Sequence, residues 1–196
     1  MVSRHCNIYL MVALLLSCPF DVHSQDDKVD KFIKTNMESL RIPGLSLSIV
    51  RNNIVIKSGG YGVSNLELNV PATSKTVYEI GSMTKQFTAT AIMMLMEKGK
   101  LSLNEKITTF FPDAPSAWNK ITIRHLLTHT SGIQNHVAVP GYLGVFKTNL
   151  FHETFPSQKE ILKLFFKLPQ EFKPGETWSY DNTGYYLLGL IIEKTS

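Results

Sequence analysis

The 196-residue chain has two cysteines, Cys6 and Cys18, and both fall within its first 24 residues. Everything after them must hold together without disulfides, and a cysteine-ligated metal is excluded there. The chain has no Asn-x-Ser/Thr acceptor, so N-glycosylation gives no sign of the compartment. A concentrated block of one charge is lacking as well. The formal +4 is spread along the chain with acidic residues interleaved, and no basic stripe alternates with aromatics, which argues against a nucleic-acid partner. No apolar run reaches the roughly 20 residues that a membrane-spanning helix needs. The run Ile8 to Leu16 follows Arg4 and His5 and gives way to Asp21, Val22, His23 and Ser24. A basic start, a short apolar core and a small residue before Gln25 read as a secretory signal peptide over residues 1–24. That implies a secreted, cysteine-free chain over residues 25–196, with no membrane attachment after cleavage. Pro19 and Phe20 blur the far edge of the run and leave an uncleaved anchor as the alternative.

What is present suits one globular domain, since 43% of the residues are hydrophobic and can bury a core without covalent help. Val29, Phe32, Ile33, Met37 and Leu40 fall at helical spacing over 26–41, and Pro43 with Gly44 ends that helix. Leu45, Leu47 and Ile49 alternate with serines as a half-buried strand. Asn52-Asn53 turns the chain into a second strand, Ile54 to Lys57, that ends at Gly59-Gly60. After Pro71 the pattern is helical, and residues 82–98 are apolar on nearly every side, which predicts a buried central helix. Ser102 with Glu105 and Ser157 with Glu160 match capping boxes, and Thr122 can cap a short helix through His129. Residues 131–156 form a long irregular segment. Lys173-Pro174-Gly175 makes a turn, and residues 183–194 form a last apolar helix.

Ser82 and Lys85 stand three apart at the start of the central helix, so they share one face with the hydroxyl near the helix N-terminus. The spacing fits a nucleophile beside its base, and equally a polar start to a buried helix. Tyr180 and Asn182 are two apart just before the last helix, so an extended backbone points both side chains the same way. The plainer alternative makes Asn182 an N-cap and Tyr180 or Trp178 a core aromatic.

The stretches "YEIGSMTKQFTA", "ITIRHLLTHTSGI" and "PGETWSYDNTGYYLLGLIIEK" resemble, in this order, the family of class C β-lactamases, D,D-carboxypeptidases and related serine esterases. Together they cover most of residues 43–195. The resemblance implies an α+β fold of the β-lactamase/transpeptidase type, a helical lobe against an antiparallel sheet. It implies a serine hydrolase acting through an acyl-enzyme at Ser82 on an amide, ester or β-lactam, with a small-molecule or peptide substrate and no cofactor or metal. Lys85 could take the Ser82 proton only as a neutral amine. Tyr180 would share that proton, either as base or as relay to the leaving group. Asn182 would hold Lys85 or a substrate amide, and the Ser82 N–H would supply one oxyanion donor.

His125 and His129 are four apart, but Leu126 follows His125 where a zinc-protease helix has glutamate, so the pair reads as structural. His136 and His152 read as solvated loop residues. The family's third motif, Lys-Thr-Gly or His-x-Gly, does not follow Tyr180-x-Asn182. Lys194-Thr195-Ser196 only ends the last helix, and Lys147-Thr148-Asn149 fails on sequence and position. These residues therefore read as the N-terminal part of such a fold, lacking the C-terminal strands of its sheet and turning over substrate poorly. The rival reading is a catalytically silent binding or scaffold protein derived from the same fold; the oligomeric state is open. N-terminal sequencing of the secreted protein should begin at Gln25, and a mature product that retains Cys18 contradicts the signal peptide.

Overall fold

The computed structural model describes residues 28–139 and 157–196. The signal-peptide segment, both cysteines, His152 and Lys147-Thr148-Asn149 lie outside the described residues. The chain divides into two compact units between Tyr78 and Glu79.

The first unit is a helix and a small antiparallel sheet. Helix α1 (Lys28–Leu40) turns Ile33 inward and carries Asp30, which pairs with Lys57 at 3.0 Å and accepts a hydrogen bond from the Tyr61 hydroxyl. Strands β1 (Gly44–Arg51) and β2 (Ile54–Asn65) form the expected hairpin, and a short β3 (Val70–Pro71) extends the order to β1-β2-β3. Asn52 and Asn53 both have positive φ, 50° and 61°, as a two-residue turn matched to the strand twist requires. β2 runs well past Gly59-Gly60, where the sequence suggests an end. The glycine at 60 serves close approach, because a Cβ there would lie 2.2 Å from the Ala72 carbonyl oxygen.

The run from Ala72 to Ile80 is irregular, not helical as the pattern after Pro71 suggests. Its short hydroxyl side chains take over the backbone groups that a helix would need. Thr73 N–H donates to Thr76 Oγ1 at 2.8 Å, and Lys75 N–H donates to Thr73 Oγ1 at 3.2 Å.

The second unit is helical. A 3₁₀ turn over Gly81–Met83 leads into α2 (Thr84–Glu97). After it come α3 (Ile123–Leu127), α4 (Gln158–Phe165) and α5 (Asn182–Thr195). The core gathers Ile92, Leu95, Ile107, Trp118, Ile123, Leu126, Phe165, Leu187, Leu188 and Ile191 into one cluster. α5 contributes most, and it touches both α2 and α3. α2 is less buried than its composition suggests, for only Ile92 and Leu95 are inside while Phe87 and Met94 remain exposed. Its apolar side chains point in every direction, whereas α5 can cover only one side of it.

The capping boxes divide. Ser157 and Glu160 cap α4 as expected, and Thr122 caps α3 with His125 Nδ1 standing in for the usual glutamate, at 3.2 Å from Thr122 N–H. Ser102 and Glu105 bond as a box would, with Ser102 N–H 3.3 Å from Glu105 Oε2, yet no α-helix follows. The next backbone groups pair sideways instead. Lys106 bridges Thr122, and Ile107 N–H donates to Ile121 C=O at 3.0 Å. Lys173-Pro174-Gly175 turns as expected, with Gly175 at φ +82°.

Burial ranks the side chains energetically. Leu187→Ala should cost about 3 kcal/mol through a cavity at a fully buried site, whereas Phe87→Ala on the exposed face of α2 should cost less than about 0.5 kcal/mol. Urea unfolding of both variants checks the contrast, and equal losses contradict this account of the core.

Candidate active site

The candidate site lies wholly within the second unit, and local backbone geometry builds each half of it. Ser82 sits in the 3₁₀ turn ahead of α2, exposed, and Lys85 lies one turn on and half-buried. On the other side, Asp181 is the N-cap of α5, with extended backbone at φ −138° and ψ 125°. Its carboxylate accepts the N–H groups of Thr183 at 2.7 Å and Gly184 at 2.8 Å. The cap is therefore Asp181, not Asn182 as the plainer sequence reading has it. Extended geometry at Asp181 sends its side chain inward and leaves the neighbours at 180 and 182 facing the other way. Tyr180 is 39% exposed and Trp178 63% exposed, so neither is a core aromatic.

The structure brings all four predicted site residues together. Ser82 Oγ lies 2.5 Å from the Tyr180 hydroxyl. Lys85 Nζ donates to Asn182 Oδ1 at 2.6 Å and makes a longer contact to Ser82 Oγ at 3.4 Å. The same ammonium stands 4.8 Å from the Tyr180 ring centre and 5.4 Å from that of Tyr185, within cation–π range. Hydrogen bonding to Lys85, and then to Ser82, holds the Tyr180 phenol below its ordinary pKa.

Ser82, Lys85 and Asn182 line an open cleft of about 480 Å³ together with His136, Tyr185 and Tyr186, a size suited to a small organic ligand. A separate cleft of about 380 Å³ has Phe110, Phe111, Phe166 and three lysines on its walls but no nucleophile–base pair.

Two histidines have roles that spacing does not reveal. His129 Nδ1 accepts the Asp181 N–H at 3.1 Å, and its ring centre lies 4.8 Å from that of Tyr180 and 5.0 Å from that of Tyr185. His125 is occupied at the α3 cap, so the two rings of the His-x₃-His spacing serve separate backbone tasks. His136 is buried, against the expectation of a solvated loop residue, and it stacks on Phe165 at 4.7 Å. Thr183 Oγ1 gives its proton to Gln134 C=O at 2.9 Å. The 2.9 Å contact from His136 Nδ1 to that same oxygen therefore has the ring as donor. Burial, and then the Lys85 charge, lowers the His136 pKa to about 4, which keeps the ring neutral at neutral pH. No sequence pattern flags this, because burial at 136 depends on Phe165 and Thr183, both remote in the chain.

With the geometry in place, comparison with known proteins decides the kinship. Residues 29–196 match the family described as Beta-lactamase. The chain belongs to that family. It is 33% identical over 178 residues to protein flp of Staphylococcus aureus (strain N315), covering 89% of this chain and 34% of the relative. Among solved structures, the octameric penicillin-binding protein homologue from Pyrococcus abyssi superposes with a TM-score of 0.71 at 36% identity, over 87% of this chain and 39% of that one. A class C β-lactamase in complex with cefoxitin gives 0.69 at 26% identity, over 87% and 44%. The chain thus spans about a third of the length of its curated relative, and the β-lactamase/transpeptidase-like α+β fold expected from its motifs is the observed one.

Two buried groups at this site oppose each other with pH. Burial raises Asp181 from 3.8 to about 6 despite its amide donors. The folded chain then holds the extra proton between those values, and stability falls as pH rises through them. His136 falls from 6.5 to about 4. There the unfolded chain holds the extra proton, and stability rises over nearly the same window. Asp181→Asn, which keeps a capping oxygen, should make stability climb more steeply with pH than in the wild type, and His136→Gln should leave the falling contribution. Urea midpoints between about pH 4 and 6.5 test this, and identical pH profiles for all three proteins contradict it.

Proposed function

We propose that this chain is the nucleophile-bearing part of a secreted serine hydrolase that forms an acyl-enzyme at Ser82 with an amide, ester or β-lactam. The observation that carries the reading is the meeting of Ser82 with Tyr180, 98 residues away, at hydrogen-bond distance beside Lys85 and Asn182. Kinship with proteins that include a cefoxitin-bound class C β-lactamase supports the acyl-donor class.

In this reading Ser82 Oγ attacks the acyl carbon, its proton passes to a neighbouring base, and the leaving group departs with a proton from the same relay. Water then hydrolyses the Ser82 ester. Of the two groups that could take the serine proton, the geometry favours Tyr180. Its hydroxyl is nearer to Ser82 than Lys85 Nζ is, and its pKa is lowered by hydrogen bonds to Lys85 and Ser82. Lys85 then serves as the fixed cation that stabilises a phenolate, and Asn182 holds it in place. The Ser82 N–H supplies one oxyanion donor.

A fluorophosphonate or β-lactam probe should label Ser82 alone, and Ser82→Ala should abolish labelling. Lys85→Ala and Tyr180→Phe should each slow it by about 10²–10⁴-fold. Undiminished labelling of Ser82→Ala overturns the assignment.

A further inference from the structure

The anchor of Lys85 is itself anchored. Asn182 presents Oδ1 to Lys85 Nζ at 2.6 Å, so its NH₂ must point the other way. That group lies 3.3 Å from Asn135 Oδ1. The same oxygen accepts the backbone N–H of Asn182 at 3.3 Å and that of Val137 at 3.3 Å. Backbone N–H groups have no ambiguity of orientation, and only an oxygen can receive them. Their convergence therefore fixes which end of the Asn135 amide faces Asn182, and Asn135 in turn fixes Asn182.

The position of Asn135 is tightly held. It caps the 3₁₀ turn over His136–Ala138, and both its neighbours are tied to the first turn of α5. Thr183 Oγ1 donates to Gln134 C=O and accepts from His136 N–H, each at 2.9 Å.

We propose that Asn135 is a positioning residue for the Ser82–Lys85 pair, holding Asn182 in the one amide orientation that offers Lys85 an acceptor. With the Asn135 oxygen withdrawn, the Asn182 amide is free to rotate and set its NH₂ against the ammonium, donor against donor. Lys85 would then leave its place beside Ser82 and Tyr180. The inference rests on the reading of Ser82 as nucleophile, and its test separates the two.

Asn135→Ser keeps an N-capping oxygen for Val137 on a side chain too short to hold the Asn182 amide, so the turn is retained. Asn135→Asp keeps an acceptor for all three donors. In the full-length protein, labelling of Ser82 by a fluorophosphonate should slow roughly 10- to 100-fold in Asn135→Ser, as expected for a displaced reacting group. Asn135→Asp should restore most of that loss. On an Asn182→Ala background, Asn135→Ser should cost nothing further, because the two act through one contact. Hydrogen exchange of the Asn182 side-chain amide, followed by NMR, should be faster in Asn135→Ser whatever the labelling shows. Unchanged amide exchange overturns the proposal, as does Asn135→Ser labelling within about twofold of wild type or an additive loss in the double variant. If the wild type is labelled elsewhere than Ser82, the nucleophile reading falls, and the amide exchange still decides the role of Asn135.

Discussion

The buried Asp181 carboxylate is the constraint on which the second unit depends. A helix start leaves several N–H groups without intrahelical partners, and here they would open into a core formed by Leu187, Leu188 and Ile191. Asp181 satisfies two of them. To do so it must lie in extended backbone with its side chain turned inward, and that single choice turns Tyr180 and Asn182 outward together. One hydrogen-bonding requirement thus sets both the register of α5 and the composition of the cleft.

The electrostatics of the cleft follow from what surrounds Lys85. Its polar partners, Ser82 and Asn182, are neutral. The nearby histidines are kept neutral too, by burial first and by the Lys85 charge second. For His129 the geometry agrees, since a ring nitrogen that accepts the Asp181 N–H cannot also carry a proton. Lys85 is therefore a cation among dipoles and aromatic faces, with no carboxylate within those partners to neutralise it. In the proposed reaction such a charge would stabilise an anion that forms next to it, on Tyr180 or on the attacking oxygen.

The parts of this arrangement that were legible in the sequence depend on local periodicity. Ser82 and Lys85 share a helix face, Tyr180 and Asn182 share the side of an extended stretch, and Asn52-Asn53 demands a turn; each follows from a repeat of a few residues. The parts that were not legible depend on partners far along the chain. Asp181 and Asn182 are equally good N-caps by type, and only remote partners, the His129 ring that receives the Asp181 N–H and the Asn135 oxygen that receives the Asn182 N–H, assign the cap to one and the site to the other. His136 looks like a loop residue until Phe165 and Thr183 enclose it. Ser102 and Glu105 form the bonds of a helix start, and the helix fails because Ile107 finds a better partner in Ile121. The resemblance carried further than the residue pattern did, because a family motif records such long-range outcomes in a short string.

His129 shows how the two kinds of information meet. Its φ of +57° lies in the left-handed region, which costs a non-glycine residue about 1–2 kcal/mol. A glycine would relieve that strain, and Thr128 and Thr130, which share a hydrogen bond of 2.8 Å, would still close the turn. What glycine lacks is the ring. In this conformation the His129 carbonyl accepts the Ser179 N–H at 3.0 Å while its Nδ1 accepts the Asp181 N–H at 3.1 Å. The backbone is thereby held on both sides of Tyr180, with the imidazole lying along the phenol ring. A glycine would keep the carbonyl bond but not the Nδ1 bond, which contributes about 1 kcal/mol, nor the ring contact, which adds about as much again; together these offset the strain. The strained histidine is thus maintained by the segment it holds, and that segment carries the hydroxyl nearest to Ser82.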